Sequence, residues 1–258
     1  MVPSRHLPAG LAAVAATALL AAVPSAGAVP APAPAPVPCN PDVSLLSYTD
    51  ALNKTTAKID GTDQSLTVGG LSALVLGGSP DGNAKRTQAW ALVDNQGTTP
   101  ARIANLTIDD GAVTAKANSF TQVGQSKGLT GQNFDGEGLV RQSNGRFLAS
   151  SETEPSIYRL DDLGRVLGKL PVPDRFRVAP AGQATTNLTF EGLGLSPDGH
   201  TLWAGMEGPL SGDGLTADNR ARLRFLRYQR TGTDWSVAGQ VGYLADPGLG
   251  VSEVQVVN

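Results

Sequence analysis

Glutamate at the head of a short apolar strand is the residue pattern in this chain with most chemical promise. Glu137 and Glu191 hold that place in Phe134-Asp135-Gly136-Glu137-Gly138-Leu139 and Phe190-Glu191-Gly192-Leu193. Two related stretches, Gly70-Leu71-Ser72-Ala73-Leu74 and Gly250-Val251-Ser252-Glu253-Val254, carry serine at the matching position. A second acid follows each glutamate, Glu152 after 15 residues and Glu207 after 16, and Asp94 closes the corresponding strand of the first unit. If the start of one strand and the end of the next lie together, these carboxylates ring a single opening. Such a cluster is costly unless neutralised, and Ca²⁺ favours oxygen-rich sites of about six to eight ligands. A divalent cation there would polarise a phosphoryl or carbonyl oxygen and lower the pKa of a bound water. A carboxylate beside it could take that water's proton. Glu137 and Glu191 are the catalytic candidates. The candidate ligands of the metal are Glu137, Glu152, Glu191, Glu207, Asp94 and Glu253. The same acids could instead bond to backbone N–H groups and simply fasten one sheet to the next.

Other residues fit the pattern less well. Glu253 is one position out of step with Glu137 when the apolar residues are aligned. Asp135, ahead of Gly136, reads as part of a turn with a structural role. Asp213 and Asp218 lie in a polar insertion after Glu207, either a plain solvated loop or one that overhangs the opening and lends a ligand. The two histidines are His6, in the leader, and His200, beside an Asp-Gly turn, so a serine-hydrolase triad is not expected. No Cys/His zinc pattern and no Gly-x-x-x-x-Gly-Lys phosphate loop occurs. Arg141, Lys85 and Arg86 are the basic residues near the acids in sequence, with nothing local to set them apart from solvated surface.

The elements that would position these acids are strands. Asp81-Gly82, Asp110-Gly111, Asn144-Gly145 and Asp198-Gly199 are hairpin signals. The segments Gln88–Val93, Ala101–Ile108, Arg146–Ser151, Ser156–Leu160, Thr201–Met206 and Val237–Leu244 are predicted strands. Arg220 to Arg230, where arginines interleave with Leu223, Phe225, Leu226 and Tyr228, is predicted as a strand with a solvated face. No sustained helical rhythm follows residue 40, so the expected class is all-β. From Ser72 to Glu137 to Glu191 to Ser252 the intervals are 65, 54 and 61 residues. Each unit reads strand, turn, strand, acid and two more strands, the build of a four-stranded propeller blade. Three units are present and a fourth has barely begun when the sequence ends at Asn258, which predicts a fragment of about three to four blades, or a larger contribution from Pro41–Gln64 than its sequence displays.

Composition bounds the setting. Residues 1–28, with an apolar run from Leu11 to Val23 and Ala26-Gly27-Ala28, fit a secretory signal peptide cleaved near Ala28; an uncleaved anchor is the alternative. Residues 29–40 form a Pro/Ala-rich linker, an extended spacer of about 30 Å at roughly 3 Å per residue. The domain is then 41–258. Cys39 is the single cysteine, so no intrachain disulfide can form. A net charge of −3 with scattered basic residues excludes a nucleic-acid stripe. The protein is expected to be secreted, with possible attachment to a cell wall, without stable membrane insertion, and monomeric.

Several motifs together resemble a bacterial phytase-like family, known by the label "esterase-like activity of phytase". They are Gly69-Gly70-Leu71-Ser72-Ala73-Leu74, Asp135-Gly136-Glu137-Gly138-Leu139 with Ser150-Ser151-Glu152, Leu170-Pro171-Val172-Pro173, Asn187 through Leu193, Leu195-Ser196-Pro197-Asp198-Gly199, and Gly250-Val251-Ser252-Glu253. The resemblance runs from about residue 66 to the last residue. It implies a secreted β-propeller that hydrolyses phosphate or carboxylate esters, with a small-molecule ester or phosphoester as partner. Members of the family continue past the Ser-Glu motif, which agrees with a fragment. A non-catalytic extracellular propeller that binds a ligand at its rim is the rival expectation, because one fold hosts many functions.

Overall fold

The computed structural model describes residue 45 and residues 47–257. The leader, the linker and Cys39 lie outside the described residues. Alternation of apolar and polar residues between glycine turns gives fourteen strands among the described residues. A short pair, β1 (Thr56–Lys58) and β2 (Ser65–Thr67), comes first. The first large sheet is β3 (Leu71–Leu76), β4 (Arg86–Val93), β5 (Arg102–Asp109) and β6 (Thr114–Gln122). The second is β7 (Gly136–Arg141), β8 (Phe147–Ser151), β9 (Ser156–Leu160) and β10 (Val166–Lys169). The third is β11 (Phe190–Leu195), β12 (Thr201–Met206), β13 (Arg222–Thr231) and β14 (Asp234–Leu244). Each is an antiparallel meander in sequence order.

The six predicted strands are present, two with the predicted ends, and the arginine-rich stretch is β13. The Asn144-Gly145 and Asp198-Gly199 turns form tight hairpins, with Gly145 at φ 85° and Gly199 at φ 69°, a region open to glycine at little steric cost. The unit plan expects a fourth strand in each sheet, but β6 and β10 are not among the segments named from the sequence. β6 alternates exposed and half-buried small residues, and β10 is short and contains Gly168.

Apolar faces bind the sheets to one another in series. Trp90, Leu92 and Ile103 of the first sheet share a core with Leu139, Phe147 and Tyr158 of the second. Val140, Leu148 and Ile157 of the second share one with Leu193, Leu202 and Tyr228 of the third. The far face of the first sheet is covered by Ala57, Ile59 and Val68, so part of the Pro41–Gln64 region does contribute to the fold. The first strands β3, β7 and β11 stand side by side, and Glu253, Val254 and Val256 lie against Gly192 and Gly194 of β11. The all-β class is observed as four antiparallel sheets, open at their edges, with no closed ring among the described residues. No helix among them is long and apolar enough to cross a membrane.

Candidate functional site

Hairpin geometry decides where the acids meet. In each large sheet the start of the first strand pairs with the end of the second, as Leu71 with Val93, Gly136 with Ser151 and Phe190 with Met206. Each of these pairs is followed by a register shift, between Leu71 and Ala73, Gly136 and Leu139, and Phe190 and Leu193. An extra residue in one strand bends it and re-aims a side chain. Ser72, Glu137 and Glu191 sit inside the three bulges. Ser150, fully buried, ties two of them: its Oγ accepts from the Gly138 N–H at 2.6 Å and donates to the Glu191 carbonyl at 3.3 Å. Gly138 must be glycine, since a Cβ there would stand 2.7 Å from the Glu191 carbonyl oxygen.

Two groups of three carboxylates result, Glu137 with Glu152 and Glu191, and Glu137 with Asp94 and Asp135. Within each group one oxygen per residue lies within 4.8 Å of the others. Glu152 is 2% exposed, and its Oε1 accepts the Thr189 N–H at 2.5 Å. Its own N–H donates to the Asp135 carbonyl at 2.9 Å, and the Glu207 N–H donates to the Thr189 carbonyl at 2.8 Å. Asp94 accepts the Asn95 N–H.

Burial and crowding raise these carboxyls well above the ordinary range. Glu137 is pushed up to about 9 by burial and by the charges of Glu191 and Asp94, against a hydrogen bond from Ser72. Glu191 rises to about 8 through burial and the Glu152 and Glu207 charges. Glu152 rises to about 7 through burial and the Glu207 and Asp135 charges, against the Thr189 bond. Asp135 rises to about 6 through burial and a hydrogen bond shared with Asp94. Burial also raises Glu207. A site that holds protons this firmly favours a bound cation in their place.

Residues 66–258 match the phytase-like family, described as "esterase-like activity of phytase". The chain belongs to this phytase-like family. It is also 28% identical over 126 residues to an uncharacterized secreted protein of Arthroderma benhamiae, a match covering 39% of this chain and 25% of that one. The chain thus corresponds to about a quarter of that relative's length.

The other candidates sort themselves around the phytase-like core. Glu207 belongs to neither group of three, although its charge acts on Glu152 and Glu191. Glu253 is exposed and lines another cleft with Leu193 and Gln255. Asp135, expected to be structural, joins the cluster. It caps the helical turn α1 (Gly131–Phe134) at φ 45°, which turns it in beside Asp94. Asp213 supplies no ligand here, being held by Arg224 Nε at 2.7 Å and Nη2 at 2.5 Å with Arg175 at 3.7 Å. Asp218 accepts from Thr216 at 2.5 Å.

Arg141 lies over the Trp90 ring at 4.1 Å, at the opposite end of β7 from Glu137. Arg86 bridges Asp81 and Asp109, each at 2.9 Å. Neither faces the acids. The sequence also spells Gly124-Gln125-Ser126-Lys127-Gly128, a Gly-x-Ser-x-Gly pattern that can mark a nucleophilic serine at a strand-to-helix turn. Here it is a three-residue 3₁₀ turn with Ser126 exposed. The one histidine among the described residues, His200, is in the β11–β12 turn.

Proposed function

We propose that the chain is a secreted hydrolase of phosphate or carboxylate esters, centred on Glu137, Glu152 and Glu191, with its sheets serving as blades of a propeller. The carrying observation is the meeting of those three carboxylates within 4.8 Å in a chain of a phytase-like family. Secretion is supported by the leader-like residues 1–28 and by the relative named as secreted.

The donor set fits a hard divalent cation such as Ca²⁺, because it consists of oxygens carried by several strands. Glu137, Glu152 and Glu191 would hold it, with Asp94 and Asp135 offering a second set through Glu137. When bound, the cation supplies positive charge to the ester oxygen and makes a water more acidic. Glu191, which meets Glu137 and Glu152 at this point, would accept the proton of the attacking water with the carboxylate oxygen not bound to the cation. Glu137, shared between both groups, orients the site.

Hydrolysis of p-nitrophenyl phosphate and p-nitrophenyl acetate by the full chain, in Ca²⁺ and in chelator, tests this reading. Activity should require Ca²⁺ and fall about a hundredfold or more in Glu137→Gln and in Glu191→Gln, with Tm in chelator unchanged. Folded, Ca²⁺-loaded protein that cleaves neither ester would overturn it in favour of a non-catalytic extracellular binding module. One observation favours that second reading. Among the described residues, no arginine or lysine forms an ion pair with Glu137, Glu152 or Glu191.

A further inference from the structure

A pocket unconnected with the acids lies where the β7–β8 turn, strand β9 and the β13–β14 hairpin come together. Its volume is about 190 Å³, room for roughly six waters at about 30 Å³ each. Arg146, Arg159 and Arg230 line it, and no aspartate or glutamate does. Among the described residues, none of the three has a carboxylate within 4.0 Å. Three of the acids on the surrounding turns have other partners, while Asp162 beside Asp161 has none among the described residues. Asp161 pairs with Arg165 at 2.6 Å. Asp198 accepts from Ser196 at 2.5 Å and from the His200 N–H at 2.9 Å, although it feels the Arg230 charge. Asp234 is within 3.5 Å of the Thr233 hydroxyl.

Arg230 is the one of the three with a buried donor left unpaired. Its Nε is buried without a hydrogen-bond partner. Its Nη1 reaches only to Gln142 Oε1 at 3.4 Å, and Gln142 is itself 8% exposed. The Trp235 ring lies 6.0 Å from the guanidinium. Three like charges around a concave site repel one another, and a buried N–H without an acceptor is costly. Guanidinium groups present forked donors that match the paired oxygens of phosphate or sulfate.

We propose that this pocket is an oxyanion-binding site that takes a phosphate or sulfate group, whatever reaction the acid cluster performs. Free phosphate and a phosphoryl group on a larger molecule present the same oxygens to Arg146, Arg159 and Arg230.

Thermal melting and titration calorimetry of the full chain, with inorganic phosphate, sulfate and glycerol phosphate against sodium chloride of equal ionic strength, test the proposal. Phosphate or sulfate well above its Kd should raise Tm by several degrees, chloride should not, and tighter binding of glycerol phosphate would identify an esterified ligand. Arg159→Gln and Arg230→Gln should weaken phosphate binding by about ten- to a hundredfold, while the ligand-free Tm stays level or rises as repulsion is relieved. Should Arg230→Gln fail to fold, Arg146→Gln on the exposed turn gives the same readout. Equal effects of chloride and phosphate, or arginine variants that bind phosphate like the parent chain, would overturn the proposal.

Discussion

Glu152 couples support of the backbone to membership of the acid cluster, and two substitutions separate these roles. Its Oε1 accepts the buried Thr189 N–H ahead of β11. Glu152→Ala leaves that N–H without a partner and should cost about 1–3 kcal/mol of stability. Glu152→Gln keeps an acceptor oxygen at the same place and removes only the charge. Its Tm in chelator should stay close to that of the parent, while calcium binding by calorimetry weakens at least tenfold. Equal loss of Tm in both variants, with calcium binding intact, would make Glu152 a backbone cap alone. Glu137, Glu152 and Glu191 could be read from the sequence because they recur at matching places in successive units. Asp135 could not, since its direction depends on the left-handed cap of α1, and an Asp-Gly pair signals only a turn. Asp213 was legible as an acid but not as the partner of Arg224, because β13 brings in that arginine from 11 residues away.

The bulges are the devices at the scale of elements. One extra residue at the start of β3, β7 and β11 places Ser72, Glu137 and Glu191 alike, and Gly138 lets β7 approach β11. Gly138→Ala would put a Cβ 2.7 Å from the Glu191 carbonyl oxygen and 2.8 Å from the Leu193 nitrogen, both backbone atoms. The strands must separate, at a cost of about 1–3 kcal/mol or more. For a domain of this size that lowers Tm by roughly 2–4 °C per kcal/mol. Glu137 and Glu191 part as the strands do, so calcium affinity should fall with it. Gly78→Ala, with open space around its Cβ, should stay within about 0.5 kcal/mol. A Gly138→Ala protein that melts with Gly78→Ala would show that β7 and β11 are not held so close. Strands with alternating apolar residues and Asx-Gly turns were readable. The bulges were not, because a Glu-Gly pair fits a regular strand start equally well, and β6 lacked a strong alternation of large apolar residues.

Across the whole molecule, the cluster joins the three large sheets. Asp94 follows β4 of the first, Asp135, Glu137 and Glu152 flank or lie on strands of the second, and Glu191 and Glu207 belong to the third. The order of the units is legible in their spacing. Closure into a ring is not, since it depends on how many sheets pack and at what tilt. Because Asp135, Glu137, Glu152 and Glu191 all stand above their unfolded values, in chelator these four groups bind more protons in the folded protein than in the unfolded chain. Stability from these groups is therefore complete below about pH 4.5 and is lost as pH climbs through about 6, 7, 8 and 9, the values for Asp135, Glu152, Glu191 and Glu137. Ion-paired Asp81, Asp109, Asp161 and Asp213 have lowered values and act in the opposite sense, withdrawing stability only as pH falls below about 4. In chelator, Tm should accordingly peak near pH 4 to 5 and decline toward pH 9. Calcium replaces the missing protons, so the gap between calcium and chelator curves should widen steadily from pH 5 to pH 9 in one cooperative transition. Melting curves at pH 5, 7 and 9 with each additive measure that gap. A chelator curve that rises from pH 5 to pH 9, or curves that coincide at pH 9, would mean that these carboxylates neither crowd one another nor hold a cation between the sheets.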